Sequence, residues 1–405
     1  MTDIDIKEYP FWIALANISG NTLRPAVKSR IIIKCCNDAG QPLSSFFESS
    51  EGQMANNYGL SDKEIAAVKD ITVKLPNYSF LTEEMISQGY GMIPLFDKAY
   101  PKSIKNHLKM NSPVLLYVKG NKDLLKKDCT AVVGSRNAGE ISLNFTDNIV
   151  RKAVEEGHPV VSGYAKGIDR QAYDSSLKYR GDSIIVLPQG IMTFNDFPKM
   201  YKALNEGRIL VLSTFYPSAR WSVSLAMARN PIIYAIADNI FVAESNDSGG
   251  TWAGVTDGLK KGRKIYIRMP SAEEKNANML LIHNGCIPVS NEGEVLIDTP
   301  QLPAQKPIEE ESAVAESIVA EPSAVYKDPP ANDTAIKDEI IRLLHHNTQM
   351  DFQGIKNEIR QSLGIYWNDD KLRRFIKNSF PDISIEKRGC KNIYALKSMK
   401  SPTLF

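Results

Sequence analysis

The sequence predicts an α/β protein built on a parallel sheet, with a helical module in front and a small helix-and-hairpin domain behind. Three observations predict it. Between about Met92 and Asp298, short apolar runs alternate with segments of helical length, the pattern of parallel strands joined by helical crossovers. The runs are β-branched and apolar on consecutive positions, as strands buried on both faces require. Glycines recur where a run ends and a helix is due to start, which groups the turns at the carboxyl edge of the sheet.

The elements follow in order. Residues 1–90 read as a helical module of the SAM or helix-hairpin-helix kind, or as a helical cap on the main domain. Phe11-Trp12-Ile13-Ala14-Leu15 starts an apolar helix face, and Leu60-Ser61-Asp62-Lys63-Glu64-Ile65 is a helix start with its cap. Residues 91–298 form the sheet domain. Its expected strands are Met92–Phe96, Val114–Val118, Thr130–Val133, Val160–Val161, Ser183–Leu187, Ile209–Ser213, Ile240–Ala243 and Ile265–Ile267. Residues 299–332 are punctuated by proline among Ala, Glu and Ser, the composition of a flexible linker. In residues 333–405, Ile336, Ile340, Leu343 and Leu344 make one helix face. Two further helices follow, then a basic hairpin over Ile383–Leu396. Three helices and a hairpin describe a winged-helix domain. Thirteen Lys/Arg against nine Asp/Glu after Asn332 suit either DNA or protein docking.

Composition narrows the class. The 405 residues carry a net charge of +2, so nucleic-acid binding has to come from a local patch. Cys35, Cys36, Cys129, Cys286 and Cys390 show no metal-ligand spacing, as expected of a reduced protein without a zinc site. The N-terminus lacks a signal-peptide apolar stretch and no run approaches the length of a membrane span. A cytoplasmic protein is expected, with no cofactor, no metal and no membrane contact.

The stretch from Cys129 to Asp169 organises the rest. Thr130-Ala131-Val132-Val133 runs into Gly134-Ser135-Arg136-Asn137, and Val160-Val161 into Ser162-Gly163-Tyr164-Ala165-Lys166-Gly167-Ile168-Asp169. A helix N-terminus after such a turn suits a phosphate, and Arg136 and Lys166 add cations beside both turns.

These residues resemble the signature of the DprA/Smf DNA-processing family. Ile184-Ile185-Val186-Leu187-Pro188-Gln189-Gly190, Phe197-Pro198, Leu212-Ser213-Thr214-Phe215-Tyr216-Pro217, Val242-Ala243-Glu244 to Ser248-Gly249-Gly250-Thr251, and Gly262-Arg263-Lys264-Ile265-Tyr266 continue the match in order. The resemblance covers about Gly91 to Pro288. It implies an extended Rossmann-like domain that binds single-stranded DNA, forms a homodimer and loads a RecA-type recombinase in DNA uptake or recombination, without catalysis. The chain departs from the family where Phe-Pro-x-Arg-Asn-Arg reads Leu225-Ala226-Met227-Ala228-Arg229-Asn230-Pro231, which puts that loop's DNA contact in doubt.

The candidate site residues are Gly134, Ser135, Arg136, Gly163, Lys166, Gly167, Phe194, Phe197, Lys199, Arg229 and Asn230. Arg136 can clamp a phosphate bidentately; its alternative is an intramolecular ion pair. Ser135 and the amides near Gly134 would complete an anion nest. Lys166 is a second phosphate contact or a solvated turn lysine. Gly163 and Gly167 permit close backbone approach, and Asp169 is a cap or structural acid. Phe194, Phe197 and Lys199 combine base stacking with phosphate pairing, unless Phe197 tucks into the core. Arg229 and Asn230 could reach the same groove. A nucleotide sensor on the same fold is the alternative function. A nucleotide phosphoribohydrolase is less fitting, because Thr251 is followed by Trp252-Ala253-Gly254 and not by the glutamate that chemistry needs.

Overall fold

The computed structural model describes residues 4–296 and, beyond them, short runs between 340 and 396. The linker expected at 299–332 lies outside the described residues, as do Met1–Asp3 and Cys390. The chain divides into two compact units, Met1–Pro322 and Ser323–Phe405.

The first unit opens with six helices: α1 (Tyr9–Asn17), α2 (Pro25–Ile32), α3 (Ser44–Phe47), α4 (Glu51–Tyr58), α5 (Asp62–Thr72) and α6 (Leu75–Ser87). Their starts follow local chemistry. The Ser61 amide donates to Glu64 Oε2 at 2.8 Å in a capping box that opens α5. A second box, Ser50 with Gln53, opens α4, and Gly59 closes that helix at φ +65°. Trp12, Ile13, Leu15, Phe46 and Met54 are buried.

Nine strands make the sheet: β1 (Gly91–Pro94), β2 (Leu115–Gly120), β3 (Thr130–Val133), β4 (Val160–Ser162), β5 (Ser183–Val186), β6 (Ile209–Ser213), β7 (Asn239–Val242), β8 (Tyr266–Arg268) and β9 (Ile287–Val289). The helices between them are α7 (Lys102–Leu108), α8 (Glu140–Glu155), α9 (Ile168–Lys178), α10 (Phe197–Asn205), α11 (Val223–Ile236), α12 (Gly249–Lys260) and α13 (Asn278–His283). Strand order is β1-β2-β6-β5-β4-β3-β7-β8-β9. From β6 to β9 every pairing is parallel. The order reverses around β3, flanked by β4 on one side and β7 on the other, as in Rossmann-like sheets.

The sequence reading missed two features. β1 and β2 are antiparallel additions to one edge, not members of the parallel series. Gly120 ends β2 opposite Leu210 near the start of β6, and β3 begins at that same edge. The short link of 121–129 never recrosses the sheet, so β2 has to run against its neighbour. β9 was not expected at all. Its three residues include Pro288, which cannot donate to a ladder and is tolerated at an edge.

Alternation along the strands divides the core. Ile185 and Val211 join Trp12, Ile13, Leu115 and Tyr117 in one cluster, so the N-terminal helices share their core with one sheet face. Ile184, Val186, Leu210 and Leu212 pack on the other face with Ile232, Ile233 and Ile236 of α11. Val132 and Val160 pack on Phe145 and Ile149 of α8.

In the second unit, β10 (Met350–Asp351), β11 (Ile383–Arg388) and β12 (Lys391–Leu396) form an antiparallel sheet with β12 central. β11 and β12 are the expected hairpin. Ile340, Leu344, Phe352, Ile355, Leu372, Ile376 and Tyr394 are buried together. Among the described residues no helix is long and apolar enough to cross a membrane.

Because Trp12 is buried in a core common to helices and sheet, Trp12→Ala is expected to lower the stability of the first unit by about 3–5 kcal/mol. In urea unfolding followed by circular dichroism, its helices and strands should melt at one earlier midpoint, not in two steps.

Candidate nucleic-acid interface

The loops after β3, β4, β5 and β6 meet at the carboxyl edge of the sheet. Two glycines let the first pair interlock. A Cβ on Gly134 would lie 2.6 Å from Ile168 Cγ1, and one on Gly167, at φ +83°, would lie 2.4 Å from the Ser135 carbonyl. The Ile168 amide donates to that same carbonyl at 3.2 Å. The clamp turns the Arg136 and Lys166 side chains outward. Both are exposed, and neither makes a hydrogen bond or ion pair among the described residues.

Behind them lies a buried pair. Arg229 is 4% exposed, and its guanidinium lies 3.6 Å from the Asp169 carboxylate. Its Nη1 donates to the Val186 carbonyl at 2.7 Å, while Nε has no acceptor. A Cβ on Gly163 would fall 1.5 Å from Arg229 Nη1, so only glycine fits above the guanidinium. Asp169 in turn accepts from the Gly163 amide at 3.2 Å. Burial pushes the Asp169 carboxyl above the usual carboxylate range, against the pull of Arg229. Arg229 therefore ties α11, α9, β5 and the β4 loop together. It is a positioning group at the floor of the cleft, not a free cation.

The cleft over this pair encloses about 240 Å³ and is lined by Arg136, Gly163, Tyr164, Lys166, Phe194, Trp221 and Arg229, among others. Tyr164 holds a left-handed backbone at φ +57°. Its hydroxyl donates to Asp196 Oδ2 at 3.1 Å, its ring meets Phe194 and Tyr173 edge-on, and the Arg170 guanidinium sits 4.4 Å from its centre. Trp221 is 49% exposed at the cleft.

Five of the candidates thus converge on one cleft: Arg136, Gly163, Lys166, Phe194 and Arg229. The others sit elsewhere. Phe197 packs on Tyr90 and Phe194, with Lys119 over its ring. Lys199 is paired with Asp196 at 2.6 Å. Asn230 donates to the Gly250 carbonyl at 3.2 Å and faces a separate cavity. Part of the nest expected around Gly134 and Ser135 is taken by the chain itself. The Ser135 amide donates to the Glu244 carbonyl. The Glu244 carboxylate accepts from the Gly139 amide at 3.2 Å and the Ser142 hydroxyl at 2.8 Å. A carboxylate of the chain itself therefore occupies the positive end of α8, where a ligand phosphate would otherwise sit. Gly163 and Gly167 serve approach between protein groups.

A second buried arginine holds this filled end. Arg268 is 1% exposed; it donates to the Ala243 carbonyl at 3.1 Å and the Ser142 hydroxyl at 3.0 Å, and pairs with Glu274. Hydrogen bonding from Arg268 brings the Glu274 carboxyl down to about 2. Tyr164 and Trp221 escaped the sequence reading: Tyr164 was the variable position of its motif, and Trp221 lies in a loop without periodicity.

The family model of DNA recombination-mediator protein A matches residues 91–300, just over half of the sequence. The chain belongs to this family. DNA processing protein DprA of Streptococcus pneumoniae is 28% identical over 244 residues, 59% of this chain and 83% of that protein. Protein Smf of Synechocystis is 23% identical over 306 residues, 73% and 74% of the two chains. The crystal structure of the Streptococcus pneumoniae protein superposes with a TM-score of 0.56 at 23% identity, covering 72% of this chain and 96% of its own, a likeness of fold. The family is one of DNA-binding recombination mediators, not of enzymes.

Two outcomes follow. Asp169→Asn leaves the Arg229 charge buried and unpaired, at an expected cost of about 3–5 kcal/mol. Its urea midpoint should fall, and Asp169→Asn with Arg229→Met should recover much of the loss. Glu274 is held below its ordinary value when folded. Its stabilising contribution is present above about 4.5, the usual Glu range, and is lost as pH falls toward about 2. In acid titrations of the urea midpoint, Glu274→Gln should remove that part of the pH dependence.

Proposed function

We propose that the chain binds single-stranded DNA in the cleft at the carboxyl edge of the sheet. Arg136 and Lys166 hold phosphates there, and Phe194, Tyr164 and Trp221 offer faces to bases. The observation that carries this reading is the pairing of two outward cations, neither committed to a protein acceptor, with aromatic side chains in one cleft. A strand of unpaired bases offers both partners at once, whereas a duplex keeps its base faces stacked inside. Membership of a recombination-mediator family supports the same reading. It extends the proposal to delivery of the strand to a RecA-type recombinase by a homodimer in the cytoplasm, during DNA uptake or recombination. The second unit serves that task as a winged-helix docking domain.

A soluble-nucleotide sensor is the weaker reading, for two reasons. The helix end that would take a nucleotide phosphate carries Glu244. The cleft, at about 240 Å³, is smaller than the roughly 300–1,000 Å³ usual for small-molecule pockets.

Fluorescence anisotropy with a labelled strand of about 30 nucleotides and its duplex, at low and moderate salt, tests the reading. Single-strand affinity is expected to exceed duplex affinity and to fall with salt at a slope of about −0.7 per neutralised phosphate. Arg136→Ala should weaken it at least about tenfold, or 1.4 kcal/mol, without moving the urea midpoint. Equal affinity for the two forms, or an indifferent variant, would refute the assignment.

A further inference from the structure

We propose a second anion site, on the helical module, that takes the terminal phosphate of a nucleotide. α2 passes directly into a π-helical turn, Ile33–Asp38, a local widening that recurs at functional sites. Beside it lies a pocket of about 510 Å³ lined by Arg24, Arg30, Ile33, Lys34, Asp38 and Met110, among others. It shares no residue with the cleft.

Its charges are unbalanced and directed. Arg30 donates from Nη2 to the Gly59 carbonyl at 3.2 Å, and its shielded Nε has no acceptor. Lys34 reaches the Asn57 carbonyl at 2.5 Å, a neutral partner that leaves its charge uncompensated. The Arg24 side chain makes no hydrogen bond or ion pair among the described residues. Against these three cations stands one carboxylate, Asp38, which accepts from the Asn37 side chain at 2.9 Å. Two positive charges are left over.

That surplus selects among anions. A carboxylate or an internal phosphodiester brings a single negative charge. A terminal phosphate brings about −1.5 to −2 at neutral pH, and its oxygens suit the free edge of an arginine fork. Ile33 and Met110, 43% and 40% exposed, supply an apolar wall for a sugar or base, and the volume lies within the range of small-ligand sites. The phosphate can belong to a free nucleoside monophosphate or to the 5′ end of a strand. In the second case the site would read where a strand begins, a task separate from gripping its length.

Isothermal titration calorimetry of the full chain distinguishes these cases, using thymidine monophosphate and thymidine trinucleotides with a 5′ phosphate or a 5′ hydroxyl. The phosphorylated trimer is expected to bind at least tenfold tighter than the hydroxyl form. Arg30→Gln should abolish that difference, and Arg136→Ala should leave it in place. Should loss of the Gly59 contact prevent Arg30→Gln from folding, Arg24→Gln with Lys34→Gln gives the same reading. The preference should shrink as pH is lowered through about 6, where the phosphate gains its second proton. Competition by the monophosphate identifies the free nucleotide as the ligand; phosphorylated-trimer binding without such competition identifies the strand end. Equal binding of the two trimers with no binding of the monophosphate overturns the site, as does a phosphate preference that persists in these variants.

Discussion

The buried contact between Arg229 and Asp169 is what the cleft depends on. A guanidinium and a carboxylate taken out of water are costly unless their remaining hydrogen-bonding groups are met. Here the partners come from the Val186 carbonyl and the Gly163 amide. Each of those bonds belongs to a different element, so satisfying the pair fixes β5, α11, α9 and the β4 loop at one point. The glycine requirement at Gly163 follows from this protein-internal crowding. Arg136 and Lys166 keep their charges for the outside because Arg229 has taken the buried role.

Much of the fold was legible in the chain. The β-branched runs became β3, β5 and β6 almost residue for residue, since burial on both faces leaves little room for other side chains. The Ser61–Glu64 box was readable because its chemistry is local. The direction of β1 and β2 was not. An apolar run of five residues looks the same whichever way its neighbour points, and orientation is set by where the connecting link can travel. β9 was hidden by its brevity and by Pro288.

The site divided along the same lines. Residue types suited to phosphate were visible at Arg136 and Lys166, because a cation in a glycine turn has few internal uses. Arg229 carried the same signal, but its burial depended on a tertiary neighbour, Gly163, more than sixty positions earlier. Lys199 and Asn230 lie outside the cleft, each with a partner in the chain. Asp196, three positions before Lys199, stands in plain view in the sequence, whereas the Gly250 carbonyl that Asn230 meets comes from α12, twenty positions on. The filled helix end needed Glu244, which follows a distant strand, to be seen beside Gly139 and Ser142.

That carboxylate has a consequence for how the surface presents itself. With Glu244 seated on α8 and Arg268 pairing with Glu274 behind it, one flank of the reversal point around β3 carries two carboxylates against one guanidinium. The cleft over the loops after β3 and β4 keeps two outward cations. A polyanion approaching the carboxyl edge would therefore meet one attractive verge and one that repels it. An acid of the chain itself thus stands at a helix end of the kind that elsewhere receives an anion, and it gives the carboxyl edge two unlike sides.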